Sequence, residues 1–191
     1  MSVTGAILCG GQSSRMGAPK HELALPGGRS MIEVIAETTG SVCRQVIILG
    51  PDQILPGYRH VYDLRAAQGP LGGIEALLAS GIDSQYLVVP CDVPLVTAGL
   101  LRSLLAETVA TATVFRIEDT DRPESLPMRI RAGALDVVQR QLDAGRRAVH
   151  GLIEEIECEI VPLAARDGER LRNINTRAEY ESLVASLTMG A

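Results

Sequence analysis

The sequence is poor in lysine and in aromatic residues. Of its 18 basic residues, Lys20 is the one lysine and all the others are arginine; the aromatics are four tyrosines and Phe115, with no tryptophan. The chain of 191 residues has a net charge of −5. Nucleic-acid-binding domains usually present a basic face, and those that bind single strands add stacking rings, so we do not expect a nucleic-acid polymer as a partner.

Long apolar runs are also missing. No stretch approaches the roughly 20 apolar residues needed to cross a bilayer, and the first residues do not place a basic region before an apolar one, as a signal peptide does. We therefore expect a cytoplasmic protein with no membrane partner. With 46% apolar and 21% charged residues, the composition is that of a folded globular protein.

Cysteine and histidine are too sparse and too scattered for a structural zinc site. The four cysteines lie at positions 9, 43, 91 and 158, no two of them with C-x-x-C spacing, and the chain has three histidines. We expect reduced, mostly buried thiols.

Strand patterns alternate with helical patterns along the chain. Ser30 with Glu33 and Thr176 with Glu179 form capping boxes that open the first and last helices. The alternation predicts one α/β domain: a doubly wound, Rossmann-like, mainly parallel sheet with helices on both faces. Strands are predicted at 3–9, 45–49, 59–62, 86–89, 112–117, 128–131 and 159–161, helices at 30–42, 71–79, 97–107, 135–142, 149–156 and 176–187, and charged loops at 118–127 and 164–172.

The loop after the first strand is the first candidate site, because ligands bind beyond the carboxyl ends of the strands in such sheets. This loop reads LCGGQSSRMGAPK over residues 8–20. The backbone at Gly10 and Gly11 can approach phosphates closely. Arg15 offers a planar fork of donors to phosphate oxygens, and Lys20 offers a compact charge.

The local charge favours a polyphosphate ligand, although two common phosphate motifs do not fit. Residues 1–29 carry three basic side chains and one acidic one, a net charge of +2 on an acidic chain. A Walker A loop would need a second glycine where Met16 stands, and a Ser or Thr where His21 follows Lys20; no G-x-G-x-x-G is present.

The same loop is similar to the nucleotidyltransferase signature L-x-G-G-x-S-x-R-M-G-x-x-K, and the chain resembles the molybdenum cofactor guanylyltransferases. The resemblance implies transfer of GMP from GTP to molybdopterin with release of pyrophosphate, and Mg²⁺ as cofactor. It also implies molybdoenzyme apoproteins or other cofactor-assembly proteins as partners, and a monomer or weak homo-oligomer. The nucleotide would bind in a half of about residues 1–95, and the acceptor in a half of about 96–191.

The resemblance assigns roles to residues along most of the chain. Arg15, Lys20 and Asp92 would be catalytic, and Asp92 would bind the metal. The implied binding residues are Leu8, Cys9, Gly10, Gly11, Lys20, Leu49, Asp63, Gly69, Gly73, Asp92, Asn173 and Asn175.

Three of these assignments compete with plainer interpretations. Asp92, after a buried strand and in a P-C-D-x-P segment similar to the family's, has the hard oxygen that Mg²⁺ prefers, yet such an aspartate also commonly begins a turn or helix. Asp63 precedes a G-P-L-G-G run, and it could equally be a surface residue beside Arg65. Asn173 and Asn175 alternate on an extended segment and face the same way, although asparagines are also usual in turns.

The chain departs from the family pattern at three positions. It has Leu49-Gly50-Pro51 where the family commonly places an asparagine, Leu126 where a polar residue precedes proline, and Arg177 where proline follows N-x-N-T. A molybdopterin cytidylyltransferase, a sugar-1-phosphate nucleotidyltransferase and a non-catalytic nucleotide-binding partner therefore remain as alternatives.

Two cysteines suggest a further hypothesis. Cys9 and Cys91 each end a strand beside a candidate site loop, and these strands are neighbours in the resembling fold. Oxidation could join the two thiols and block the nucleotide loop.

Overall fold

In the computed structural model, which describes residues 3–9, 23–50 and 54–189, these residues build a mixed sheet of seven strands. The strand order is β3-β2-β1-β4-β6-β5-β7. Only β6 runs antiparallel to its neighbours, so the sheet is mainly parallel, as predicted. The strands are β1 Thr4–Leu8, β2 Gln45–Leu49, β3 Arg59–Val61, β4 Gln85–Pro90, β5 Ala112–Ile117, β6 Met128–Arg131 and β7 Cys158–Leu163.

The helices largely follow the predicted pattern. Both capping boxes form: Ser30 exchanges hydrogen bonds with Glu33, and the Glu179 carboxylate accepts from the backbone of Thr176 while Thr176 Oγ1 accepts from Glu179 N. The helices are α1 Met31–Gly40, α2 Gly69–Ala79, α3 Ala98–Leu104, α4 Leu135–Asp143, α5 Val149–Glu155, α6 Ala165–Gly168 and α7 Arg177–Met189.

Two segments differ from the prediction. Helix α3 ends at Leu104 rather than near residue 107, and the carbonyls of Thr108 and Ala110 beyond it accept hydrogen bonds from arginine side chains of β6 instead. The predicted loop at 164–172 holds α6 and a 3₁₀ turn at Glu169–Leu171, because Leu171 is buried in the core.

The sheet is covered on both faces, which is why its central strands read as continuous apolar runs. On one face α2, α4 and α5 pack over a core that includes Tyr86 and Val88 of β4. On the other, α1 and α3 pack over Leu87 and Val89. Successive side chains of β4 therefore lie in opposite cores.

The strand order places a crevice at the carboxyl ends of β1 and β4. From β1 the chain builds outward to β2 and β3 on one side, and then crosses to β4 on the other. The order thus reverses between β1 and β4, and such a switch point is where open α/β sheets bind ligands.

Over the residues that the structure describes, we find no helix both long and apolar enough to cross a membrane.

Candidate functional site

Asp92 lies at the switch point. It follows β4, whose end is held to β1 by a hydrogen bond from Cys91 N to Leu8 O of 3.2 Å. The residue is half-buried. The strand register therefore places the predicted metal-binding aspartate beside the start of the glycine-rich loop.

A segment from the other end of the chain joins Asp92. Ile174 N donates a hydrogen bond of 2.8 Å to Asp92 O. Ile174 is 2% exposed and packs in a small core with Leu25 and Leu183, while Asn173 and Asn175 on either side of it are exposed. The segment is thus anchored by its central isoleucine and presents both asparagines beside the switch point.

Asp63 lies against the first turns of α2. A Cβ built on Gly72 or Gly73 would stand 3.9 Å or 3.7 Å from the Asp63 carboxylate oxygens. Asp63 is an exposed residue, and the desolvation of its carboxyl group beside the helix raises the pKa above its ordinary value. These are ordinary van der Waals distances, so the Asp63 carboxylate lies close to the backbone at the start of α2.

Gly73 of α2 also lies close to the ends of β1 and β2, at Leu8 and Leu49. A Cβ on Gly73 would lie 2.6 Å from Leu8 Cδ1, so a larger residue would force the buried Leu8 side chain to move. Leu8 and Leu49 are buried, so their side chains serve the core beneath the site. Gly69 has a φ of +64°, a conformation that glycine adopts without strain at the start of α2.

The ends of β1 and β2 are in close contact. Cys9 N donates to Leu49 O at 2.9 Å, and Gly50 has a φ of +146° with its Cα facing Cys9 O. A Cβ at Gly50 would stand 2.4 Å from that oxygen, so glycine is required there. Gly10, Gly11, Arg15 and Lys20, which continue the loop, lie outside the described residues.

Two ion pairs and one hydrogen bond, which together we call the Arg65 clamp, hold the loop that carries Asp63. Arg65 pairs with Glu75 of α2 at 2.9 Å and with Asp143 at the end of α4, and Arg147 Nε donates to Gln68 Oε1 at 3.0 Å. Glu75 is 1% exposed. The β3–α2 loop is therefore held from both halves of the chain.

Sequence reasoning missed the clamp. Its available signal was Glu75, the one charged residue in the otherwise apolar helix GPLGGIEALLA. A lone charge on an apolar helix that is buried on nearly every side needs a partner.

The thiols of Cys9 and Cys91 are in contact at the same edge. A hydrogen bond with Cys91, together with burial, raises the pKa of the Cys9 thiol well above its ordinary value. Both cysteines are free. The predicted neighbourhood of the two residues is confirmed.

The donors near Asp92 fit Mg²⁺. Within residues 3–9, 23–50 and 54–189, no three His, Cys, Asp or Glu side chains gather as a metal cluster would require. Asp92 instead offers one carboxylate at an open edge, with Asn173 and Asn175 on the adjacent segment. This donor set suits Mg²⁺, which is usually held by one or two carboxylates and completes its shell with water and substrate phosphates.

Comparison with known protein families and sequences gives a consistent result. The MobA-like NTP transferase domain matches residues 5–158. The "Molybdenum cofactor guanylyltransferase" of Xanthomonas euvesicatoria pv. vesicatoria (strain 85-10) is 32% identical over 187 residues, which cover 95% of this chain and 94% of the relative. The protein of the same name from Ectopseudomonas mendocina (strain ymp) is 32% identical, with 89% and 86% covered.

Solved structures share the fold. The molybdopterin-guanine dinucleotide biosynthesis protein A of Archaeoglobus fulgidus superposes with a TM-score of 0.82 at 22% identity, covering 98% of this chain and 100% of that one. A nucleotidyl transferase from Methanothermobacter thermautotroptrophicus gives 0.79 at 17% identity, covering 100% and 99%.

Proposed function

We propose that this chain, which belongs to the MobA-like NTP transferase domain family, transfers GMP from GTP to molybdopterin and releases pyrophosphate. The choice of GTP and molybdopterin is supported by the names of its relatives. The observation that carries the proposal is the hydrogen bond from Ile174 to Asp92, which brings the N-I-N-T segment to the switch point.

Phosphate binding is assigned to the first loop. The backbone N–H groups of Gly10 and Gly11 would bind the triphosphate, and Arg15 and Lys20 would neutralise its charge. Asp92 would hold Mg²⁺, which when bound adds positive charge where negative charge develops on the phosphates. These side chains would position the α-phosphorus and the leaving pyrophosphate.

The remaining residues would bind the base and the acceptor. Asp63 and the backbone of Gly69–Gly73 would form the nucleoside side of the site, with the backbone of Leu8, Cys9 and Leu49 as its floor. Asn173 and Asn175 would orient the acceptor. The acceptor phosphate is already ionised at pH 7, so its oxygen can attack the α-phosphorus without a general base.

We further propose that residues 1–191 form one domain, with nucleotide binding over about 1–95 and acceptor binding over about 96–191. Sheet pairing between β4 and β6 crosses this boundary, and so does the Arg65 clamp. The free thiols are consistent with a reducing cytoplasm.

Pyrophosphate release tests the reaction. The protein is mixed with Mg²⁺ and each of GTP, CTP, ATP and UTP, with and without molybdopterin. Release with GTP and molybdopterin together is the expected result. Release with CTP but not GTP would contradict the base assignment, and no release with any pair would favour a non-catalytic nucleotide-binding protein.

A further inference from the structure

A cavity of about 410 Å³ lies at the opposite edge of the sheet from Asp92. Val3, which precedes β1, and Gln85, which begins β4, form part of its wall, so it opens at the amino ends of these strands. The length of β4 separates it from the switch point by about 16 Å. The volume falls in the range of small-molecule sites. The other lining residues are Leu105, Ala106, Glu107, Thr108, Val109, Arg129 and Arg131.

Two arginines of β6 are held side by side in this cavity. Arg129 Nη2 donates to Ala110 O at 3.0 Å, and Arg131 Nε donates to the same oxygen at 3.2 Å. Arg129 also donates to Thr113 Oγ1 from Nε and Nη2, at 2.9 and 2.6 Å. Arg131 Nη2 donates to Thr108 O at 2.6 Å. One carbonyl thus holds two like charges as neighbours.

Neither guanidinium forms an ion pair with a described residue. Within the described parts of the chain, no carboxylate oxygen lies within 4.0 Å of either arginine, and all the acceptors just named are neutral. Glu107 on the cavity wall and Glu159, paired with Thr113 in the sheet, are exposed. Buried charges in proteins are normally paired, so this arrangement is costly unless an anion completes it.

Arg129 is the more deeply buried of the two arginines. It is 2% exposed, and its Nη1 nitrogen is buried with no hydrogen-bond partner among the described residues. Burial and the neighbouring Arg131 both lower the pKa of Arg129. The charge of Glu159 acts in the opposite direction and raises this pKa, so Arg129 keeps an unused donor and a charge that is compensated only at a distance.

We propose that this cavity, which we call the arginine cavity, binds a phosphate monoester through Arg129 and Arg131. Two guanidinium groups match the charge of a dianionic phosphate and its oxygens in geometry. Val3, Leu105 and Val109 line the rest of the cavity with apolar surface that would contact the organic part of the ligand. None of these residues belongs to the proposed nucleotide site.

The test is a titration of the full-length protein without nucleotide or Mg²⁺. Binding is measured by calorimetry and by the shift in thermal unfolding. The probes are inorganic phosphate and glycerol 3-phosphate, against potassium chloride at equal ionic strength. Saturable binding is expected, weakened at least tenfold in Arg129→Met and in Arg131→Met. Arg102→Met removes an exposed arginine of α3 that does not line the cavity, and it should bind like the original protein.

Binding that is unchanged in Arg129→Met, or absent from the original protein, would overturn the proposal. If that variant does not fold, the Nε–H resonance of Arg129 in the original protein gives a second measurement: it should shift on adding phosphate, and no shift would refute binding. Pyrophosphate release by Arg131→Met reports the transferase reaction separately, so either proposal can fail without the other.

Discussion

Gln141 of α4 is fully buried, and in the part of the chain that the structure describes neither end of its side-chain amide has a hydrogen-bond partner. It lies beside α5, where a Cβ on Gly151 would stand 3.7 and 3.8 Å from its two polar atoms. A buried amide without partners destabilises the folded state, since it leaves its hydrogen bonds to water behind.

We therefore expect Gln141→Met, which keeps the side-chain length, to raise the free energy of unfolding by about 1 kcal/mol in urea denaturation. Gln139→Met, on the same helix at a partly exposed position, is the matched control and should change it by less than about 0.5 kcal/mol. A loss of stability in Gln141→Met would mean that the amide is satisfied in solution.

Lys20 is the one lysine of an arginine-rich chain. If it neutralises the triphosphate, Lys20→Ala should lower kcat/KM for transfer by about 100-fold, a typical effect of removing one transition-state contact. The melting temperature should hardly change. Lys20→Arg, which keeps the charge but not its compact shape, is the comparison. A large drop in melting temperature for Lys20→Ala would make the lysine structural.

The raised pKa of Cys9 predicts how the Cys9–Cys91 pair oxidises. Thiolate is the reactive form, and a raised pKa makes it scarce at neutral pH, so its fraction grows as pH rises. Diamide, which accepts the two thiol hydrogens, should therefore form the disulfide slowly at pH 7 and faster at pH 9.5. Intact mass measures the loss of two hydrogens. Cys91→Ser should abolish this specific bond, and a mass that never changes in the original protein ends the hypothesis.

Among the elements, α2 depends on the Arg65 clamp. Arg65→Met would leave Glu75 buried without its cation, and we expect a loss of about 3 kcal/mol in urea denaturation. The double variant Arg65→Met/Glu75→Met removes both charges and should recover most of that loss. Asp143→Asn alters only the exposed partner, and should cost less than about 1 kcal/mol. A double variant no more stable than Arg65→Met would show that the ion pair is not the reason.

Strand β6 shows where sequence patterns stop being informative. Its sequence, Met-Arg-Ile-Arg, predicts a strand, and its apolar and charged residues alternate as in a strand with one solvated face. In the sheet both faces of β6 are covered, and Arg129 is buried. Its antiparallel direction follows from the connection to β5, which contains no helix that could cross back over the sheet.

Local signals were enough for most other elements. Capping boxes depend on residues three apart, and both form as predicted. The alternation in Asn173-Ile174-Asn175 predicted that the two asparagines face the same way, and both are exposed on either side of the buried Ile174. The bond from Ile174 to Asp92 and the pairing of Arg65 with Glu75 depend on long-range packing, which no local pattern encodes.

The whole molecule shares one sheet between its two proposed halves. β4 pairs with β1 on one side and with β6 on the other, so neither half can complete its hydrogen bonds alone. We expect one cooperative unfolding transition, with backbone circular dichroism and tyrosine near-ultraviolet signals changing together. Tyr86, fully buried in β4, makes the second signal sensitive to the shared core. Two separate transitions would mean that the halves fold independently.

The hydrogen bond from Ile174 to Asp92 also affects the order in which the site forms during synthesis of the polypeptide. All seven described strands precede Ile174 in the chain, so they leave the ribosome ahead of that residue. A nascent chain can therefore begin to pair its strands while the segment that joins Asp92 is still inside the ribosome. Release of the Ile174 segment, rather than pairing of the strands, is the event that brings Asn173 and Asn175 to Asp92.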